Sequence, residues 1–188
     1  KDFTAYCEYL GTENIAWLDE WDDLPAAADI SVQGGNKQNN VVGVYHTHTD
    51  ESYTPTDGAA SHQGRGGILK VGTVFAEKMK SLGLEVYHDK TPHDPHDAGA
   101  YQRSRRTAVN LLKKQPAIVF DVHRDAVPAE VYESEVKGQK VTKIKMVVGR
   151  QNQNKQANLE FAKTMKAAMD KTHPGLFEGI FLALGNYN

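Results

Sequence analysis

The sequence contains one cysteine, Cys7, among 188 residues. A lone thiol cannot form an internal disulfide, and without further sulfur ligands it does not indicate a cysteine-bound metal site. No run of about 18 apolar residues is present, so the sequence predicts no membrane-spanning helix. The formal net charge of −2 creates no basic field that would attract nucleic acid or anionic lipid. We therefore expect no nucleic-acid partner and no membrane contact by this chain.

The chain also lacks an initiator methionine and a recognisable signal peptide, so we expect it to be a fragment of a longer protein. Its composition, 39% hydrophobic and 24% charged, is ordinary for a globular domain. We predict an N-terminal extension with a polar linker over residues 1–40 and a single main domain over residues 41–188. Acidic and aromatic residues are interleaved in the extension, which predicts one or two short helices or, alternatively, a segment that docks a partner.

Strands and helices alternate along the first part of the main domain. The apolar run Val41–Tyr45 predicts a buried strand, and apolar residues at helical spacing predict a helix over residues 68–82. Residues 84–88 alternate like a second strand, a helix follows over residues 99–114, and Ala117–Phe120 predicts a third strand. This order is typical of an α/β fold with a mostly parallel central sheet flanked by helices.

The remainder of the chain predicts more strands and one more helix. Residues 131–136 and 141–148 alternate around a polar turn, which indicates a hairpin or two neighbouring strands. A helix is expected over residues 157–171, and residues 181–184 predict a short final strand.

Two of the predicted strands lead into histidines. His48 follows the first strand and His123 follows the third. Because ligands bind beyond the carboxyl ends of parallel strands, these imidazoles are expected to converge, and Glu51 lies one tight turn beyond His48. Two imidazoles and a carboxylate with one open position form a ligand set for catalytic zinc. Asp121 and Asp125 flank His123 and are candidates to accept the second ring N–H of a histidine ligand.

His46 offers an alternative to His48. It lies two residues earlier, so the two side chains share a face of the strand for as long as the strand persists. Either histidine is a candidate ligand. We prefer His48, because the end of the strand projects into the crevice and because Glu51 lies three residues further on. His46 is then expected to support a ligand or to face the substrate.

Residues 88–97 form a rival cluster with three histidines and three aspartates. Pro92 and Pro95 impose an extended path on this stretch, so we predict that His93 and His96 do not bind the metal ion. A polar loop at the rim of the site is the simplest interpretation. A substrate contact by this loop remains open.

Four segments resemble the stage II sporulation protein P family of cell-wall hydrolases in endospore-forming bacteria. They are Tyr45–Tyr53, His93–Asp94, Tyr101–Ser104 and Asp121–Asp125. The resemblance covers residues 41–188. The residues expected to support a ligand or bind substrate are His46, His93, Arg103 and Asp121.

The resemblance implies a fold similar to the zinc-dependent N-acetylmuramoyl-L-alanine amidases and the zinc carboxypeptidases, with Zn²⁺ as cofactor. It implies cleavage of the amide between N-acetylmuramic acid and L-alanine in peptidoglycan, and also of peptide cross-links. The expected partners are peptidoglycan and stage II sporulation proteins D and M, during engulfment of the forespore. The expected location is the extracytoplasmic space between mother cell and forespore, with a membrane anchor on the full-length protein.

Relatives also carry a catalytic glutamate in a segment that would follow Asn188. We therefore expect the main general base there and a main domain that is truncated at its C-terminus. Within the chain the candidate catalytic residues are Arg124, which lies beside His123 and could stabilise an oxyanion, and Asp125, which could transfer a proton. Two other functions fit the same residues: a zinc peptidase that acts on other peptides, and a non-catalytic, metal-stabilised domain that binds the wall or serves as a scaffold.

Overall fold

A computed structural model describes residues 39–184 and the backbone of strand β1 (Ala16–Trp17). Contacts between residues divide the chain into two compact units, and each is described by itself. The described part of the first unit is residues 39–126, and that of the second is residues 127–184 together with β1. The predicted α/β class, with a parallel sheet flanked by helices, is confirmed.

The sheet of the first unit has three parallel strands, β2 (Val41–Tyr45), β3 (Glu85–His88) and β4 (Ile118–Asp121). β2 lies in the middle, between β3 and β4. Val44 of β2 pairs with His88 at the end of β3, and Tyr45 pairs with Asp121 at the end of β4. All three strands therefore end at the same edge, and the polar segments that follow them start from one place.

Helices cover both faces of this sheet. These helices are α2 (Ile68–Ser81) and α3 (Ala100–Leu112), and the short helix α1 (Thr54–Asp57), which buries none of its residues, precedes them in the chain. One face packs Val42, Val44 and Val86 against Ala76 and Met79 of α2, and the other packs Tyr45 against Ala108 and Leu111 of α3. Because side chains alternate along a strand, the short strand β2 contributes residues to both hydrophobic cores.

Two glycines matter for the packing of this unit: Gly43 lets β2 lie close to its neighbours, and Gly83 lets α2 end. A Cβ at Gly43 of β2 would lie 3.2 Å from Cγ2 of Val119 in β4 and 3.4 Å from Cβ of Leu111 in α3, so a side chain there would crowd both neighbours. Gly83 has φ +88°, a left-handed conformation that follows the end of α2. The helix therefore ends where the sequence predicts.

The second unit contains two separate β-structures and a long helix. After α4 (Ala129–Tyr132), β5 (Glu133–Val136) and β6 (Gln139–Thr142) form an antiparallel hairpin. β7 (Ile144–Gly149) pairs in parallel with β8 (Phe177–Ala183), and β1 adds to β8 in antiparallel orientation. The crossover between β7 and β8 is made by α5 (Lys155–Thr172).

Two predictions in this unit are corrected. The strand expected over residues 141–148 is two strands, because the N–H of Lys143 makes the last hydrogen bond of the hairpin, to the carbonyl of Tyr132, and the N–H of Ile144 donates instead to Leu176, next to β8. The final strand begins at Phe177 rather than at residue 181. Helices predicted within residues 1–31 lie outside the described residues, except that Ala16–Trp17 form a strand.

The predicted division between residues 1–40 and 41–188 stays a prediction, because most of residues 1–40 lies outside the described part of the chain. Within residues 39–184, no helix combines the length and the apolar character that crossing a bilayer requires.

Candidate metal centre

Seven consecutive polar residues, His46–Ser52, leave the end of β2 and are all buried. None of them is more than 5% exposed. A buried polar group is costly unless it is paired, so a segment of this kind requires partners for its backbone and its side chains. The segment lies at the edge of the sheet where all three strands end, and it forms the floor of the candidate site.

The turn before α2 holds the backbone of this segment. The N–H of Gly66 donates to the carbonyl of Thr49 at 2.7 Å, and the N–H of Ile68 donates to the carbonyl of Glu51 at 2.9 Å. A Cβ at residue 66 would lie 2.1 Å from the Glu51 carbonyl oxygen. Only glycine permits this approach, and it fixes the backbone of Glu51.

His48 is the centre of the site. Its ring lies edge-on to His123, with centroids 5.3 Å apart, and edge-on to Tyr101 at 5.4 Å. Burial first, and then the neighbouring His123 and His96, lower the pKa of His48 to about 3, so the ring is neutral at physiological pH. Among the described residues its Nδ1 is buried without a hydrogen-bond partner. A neutral, buried imidazole with an unpaired nitrogen fits a metal ligand.

Glu51 and His123 meet beside His48. Nδ1 of His123 lies 3.4 Å from Oε1 of Glu51, and Nε2 of His123 lies 2.9 Å from Oδ2 of Asp121. The other Glu51 oxygen accepts the backbone N–H of Arg124 at 2.8 Å. Burial alone would lower the pKa of His123, but the charges of Asp121 and Glu51 outweigh it and raise that pKa well above 6.5.

The structure therefore brings His123 to Glu51 and places the ring of His48 beside that of His123 at one edge of the sheet, but the cluster of ligand atoms found within 4.8 Å of one another among the described residues contains only His48 of these three. The structure also gives His123 the carboxylate partner that the sequence predicts, Asp121. That these three residues bind a metal ion stays a prediction.

A second group shares His48. One ligand atom from each of His48, Asp50 and His96 lies within 4.8 Å of the others, which makes this a candidate metal-binding group among the described residues. The rings of His48 and His96 stack, with centroids 4.0 Å apart. This group competes with the predicted ligand set, so the prediction that His96 does not bind the metal ion stays a prediction.

Asp50 and His96 form a hydrogen-bonded ion pair. Nδ1 of His96 lies 3.0 Å from both carboxylate oxygens of Asp50, and the Ser61 hydroxyl donates to Oδ2 at 2.5 Å. Burial would raise the pKa of Asp50, but these hydrogen bonds outweigh it and lower the pKa to about 2. The same hydrogen bond raises the pKa of His96.

His93 and Arg103 hold the loop after β3 instead of facing the site. Nδ1 of His93 donates to the carbonyl of His46 at 2.8 Å, and its Nε2 lies 2.9 Å from the Thr107 hydroxyl. Both nitrogens are engaged, and the residue is 5% exposed, so the geometry favours a structural role over substrate contact. Arg103 donates to the carbonyl oxygens of His93 and Pro95 and to the carboxylate of Asp97.

Arg124 also binds backbone. Its two terminal nitrogens donate to the carbonyl oxygens of Ala60 and Asp125, which ties the segment after β4 to the loop before α2. Its Nε is buried without a partner among the described residues. The catalytic roles of Arg124 and Asp125 stay predictions.

His46 differs from His48 in that both of its ring nitrogens are engaged. Nδ1 donates to the carbonyl of Val122, and Nε2 lies 2.9 Å from Nε2 of His88. Burial and the neighbouring His88 lower the pKa of His46 to about 4, although the Val122 hydrogen bond opposes this. Because His48 keeps an unpaired nitrogen, the geometry favours His48 over His46 as the ligand.

The sequence reasoning did not identify Ser61 or Tyr101 as parts of the site, and it considered His88 only as a member of the rival cluster over residues 88–97. Ser61 comes from an irregular loop, so it has no local signal. Tyr101, whose ring stacks on His123 with centroids 6.3 Å apart, lies in one of the segments that carry the family resemblance.

The fold and the site define an α/β protein with a histidine- and carboxylate-lined centre at the carboxyl ends of a parallel sheet. The model of the family described as stage II sporulation protein P (SpoIIP) matches residues 13–188, and the chain belongs to this family. The match begins further towards the N-terminus than the resemblance in the sequence, which covers residues 41–188.

Stage II sporulation protein P of Bacillus subtilis (strain 168) is 28% identical to this chain over 155 residues. The aligned part covers 75% of this chain and 39% of that protein, so the chain spans about two fifths of the length of this curated relative. No solved structure matches the chain significantly.

Proposed function

We propose that this chain carries the zinc centre of a peptidoglycan hydrolase that acts in sporulation. The observation that supports the proposal is the unpaired, buried Nδ1 of the neutral His48, next to His123 and Glu51. A buried nitrogen without a partner is costly, and a metal ion would satisfy it.

His48, Glu51 and His123 are the residues that would hold the zinc ion. A zinc ion in such a site polarises an amide carbonyl and lowers the pKa of water to about 7. Asp121 accepts the Nε2–H of His123 and thereby leaves Nδ1 as its ligand nitrogen, on the side of Glu51. The hydrogen bond from the Arg124 backbone orients the Glu51 carboxylate.

Hydrolysis also needs a group that moves a proton from water to the leaving amine. The family resemblance assigns this role to a glutamate that would follow Asn188. Among the described residues, the Asp50–His96 pair lies beside His48, with the proton on Nδ1 of His96 and the acceptor oxygens on Asp50. This pair is our candidate for proton transfer within the chain, ahead of Asp125.

The substrate that family membership supports is the amide between N-acetylmuramic acid and L-alanine, with stem-peptide cross-links as a further substrate. The proposed setting is engulfment of the forespore, in the extracytoplasmic space between the two cells. The proposed partners are stage II sporulation proteins D and M.

The metal centre is tested by zinc content, measured by mass spectrometry on chelator-free protein. We expect one zinc ion per wild-type chain and less than a tenth of that in His48→Ala and His123→Ala. His173→Ala, which changes an exposed histidine in the second unit, should retain full occupancy.

The same measurement decides between the two ligand groups. His96→Ala should keep its zinc if His48, Glu51 and His123 are the ligands. If His96→Ala loses zinc and His123→Ala keeps it, the ligands are His48, Asp50 and His96.

The reaction is tested by the mass of the soluble products from purified peptidoglycan. An amidase releases whole stem peptides from the glycan, whereas a peptidase releases shortened peptides. Binding to the wall at full zinc occupancy with no product would favour a non-catalytic wall-binding domain.

A further inference from the structure

A second histidine pair lies at the ends of the strands, and the proposed metal site does not use it. His46 is fully buried, and its Nε2 lies 2.9 Å from Nε2 of His88. The ring planes are tilted by 57°, with centroids 5.2 Å apart. Two nitrogens at this distance require one N–H and one lone pair, so the rings share a single hydrogen.

The other nitrogen of His46 fixes the direction of this hydrogen bond. Nδ1 lies 2.9 Å from the carbonyl oxygen of Val122, and a carbonyl can only accept, so Nδ1 carries the proton. Nε2 of His46 then offers a lone pair, and His88 donates to it through its own Nε2–H. The contacts therefore assign a Nδ1–H tautomer to His46 and a Nε2–H tautomer to His88.

Helix α2 makes room for the pair at Gly72. A Cβ at this position would lie 2.4 Å from Nε2 of His46 and 3.0 Å from Nε2 of His88, which is well inside contact distance for the first atom. Glycine weakens the interior of a helix relative to alanine. Glycine is found at position 72 because the two imidazoles occupy the space that a side chain would need.

Through these contacts His46 joins the ends of all three strands. Its backbone continues β2, its side chain reaches β4 at Val122 and β3 at His88, and its carbonyl accepts the N–H of His93. His48 lies two residues after His46, and His123 directly follows Val122. The pair therefore lies between the two segments that carry the histidine ligands of the proposed zinc ion.

We propose that the His46–His88 pair, seated against Gly72, is a positioning device that sets the separation of His48 and His123 and thereby the affinity for the metal ion. The proposal rests on the proposed metal centre. The pair acts through the ligands, since both ring nitrogens of His46 are engaged with protein. Groups that orient ligands in this way typically contribute a factor of about 10 to 100 in metal affinity.

The test compares zinc affinity, from competition with a chelating dye, and the visible spectrum of the cobalt-substituted protein, which reports ligand geometry. His88→Leu removes the donor and should weaken zinc binding about 10- to 100-fold and shift the cobalt bands. His88→Gln places an amide N–H where the imidazole N–H lies. It should restore the affinity to within about threefold and return the wild-type spectrum.

A second pair of variants tests the same contact from the helix. Gly72→Ala favours the helix intrinsically, so the protein should fold, but the methyl group displaces His46 and should weaken zinc binding to a similar extent. In a His46→Ala background, Gly72→Ala should have a much smaller effect, because the nearer imidazole is gone and His88, 3.0 Å from the added Cβ, can move into the space that His46 leaves. Gly179→Ala is the matched control, since a Cβ there meets no atom closer than 3.9 Å.

The outcomes separate the two proposals. Wild-type protein that binds no zinc overturns the metal centre, and the positioning role with it. Wild-type protein that binds zinc, with unchanged affinity and cobalt spectrum in folded His88→Leu and Gly72→Ala, overturns the positioning role alone. An equal loss on Gly72→Ala with and without His46 also overturns it, because the effect would not pass through the imidazole.

Discussion

At the scale of single residues, the histidines of the site differ in the protons they carry. Burial lowers the pKa of His48 to about 3, so this ring is neutral before a metal ion binds. The pKa of His123 lies well above 6.5, because Asp121 and Glu51 outweigh the effect of burial. His123 must therefore lose a proton before Nδ1 can bind a cation, and metal affinity depends on pH.

We predict that zinc binding releases about one proton at pH 6.5, the ordinary pKa of histidine. His123 is protonated in the folded, metal-free protein below its raised pKa, so protons compete with zinc there and affinity falls as the pH decreases. Above that pKa the competition and the proton release both disappear. Calorimetric titration in buffers that differ in protonation enthalpy measures the number of protons.

Asp121→Asn is the informative variant for this prediction. Loss of the negative charge lowers the pKa of His123, so fewer protons should be released at the same pH. Asp97→Asn, which alters an exposed ion pair with Arg103, should leave the number unchanged. Equal release in wild type and Asp121→Asn would indicate that the proton comes from another group, of which His96 is the first candidate.

At the scale of elements, two hydroxyls connect α3 to the ends of β2 and β4. The Thr47 hydroxyl donates to Oδ2 of Asp121 at 2.5 Å and lies 2.9 Å from the hydroxyl of Ser104. The Thr47 backbone N–H donates to the other Asp121 oxygen at 2.8 Å. Thr47 and Ser104 are fully buried, so the carboxylate that orients His123 is itself oriented by an adjacent strand and a helix.

We predict that Thr47→Val lowers the free energy of unfolding by about 1–3 kcal/mol. Valine has nearly the shape of threonine, so the change removes the hydroxyl with little loss of packing and leaves buried partners unsatisfied. Urea unfolding with an unchanged slope measures the difference. Thr142→Val, on an exposed position of β6, is the matched control, and a loss as small as that of the control would contradict the prediction.

The elements of the first unit could be predicted because their sequences carry a period. β2 and β4 are short apolar runs, and α2 repeats apolar residues at helical spacing, so burial on one face dictates the structure. The break after Lys143 could be predicted only in part, because the apolar positions change register between Val141 and Ile144, but nothing local identifies β8 as the partner of the second strand. The chain leaves the hairpin because the N–H of Ile144 donates to Leu176, beside β8, and this contact comes from tertiary structure.

The same distinction explains how much of the site was accessible from sequence. The convergence of His48, Glu51 and His123 follows from the rule that parallel strands end at one edge. The pairing of Asp50 with His96 and Ser61 depends on the paths of two irregular loops, which no periodicity encodes. The zinc content of His96→Ala and His123→Ala identifies the histidine that completes the ligand set.

At the scale of the whole molecule, the site lies entirely within the first compact unit. Asp50 and Glu51 are buried there, and Asp121 is mostly buried, so three carboxylates share a small volume with the histidines. Like charges in a region of low dielectric repel each other. A bound divalent cation would offset this repulsion and satisfy Nδ1 of His48, so metal binding should stabilise the fold.

We predict that zinc at about 100 times its dissociation constant raises the free energy of unfolding by about 2.7 kcal/mol, as expected for a ligand that binds only the folded state. Unfolded chains separate His123 from His48 and Glu51, which lie on another segment, so they retain little of the site. His123→Ala should lose this stabilisation and unfold identically with zinc or with chelator. His173→Ala should keep it in full, because this exposed histidine lies in the second unit. Chemical denaturation with and without zinc measures all three proteins. A zinc-dependent increase that survives in His123→Ala would show that the stabilising ion binds elsewhere, and the assignment of His123 would then be wrong.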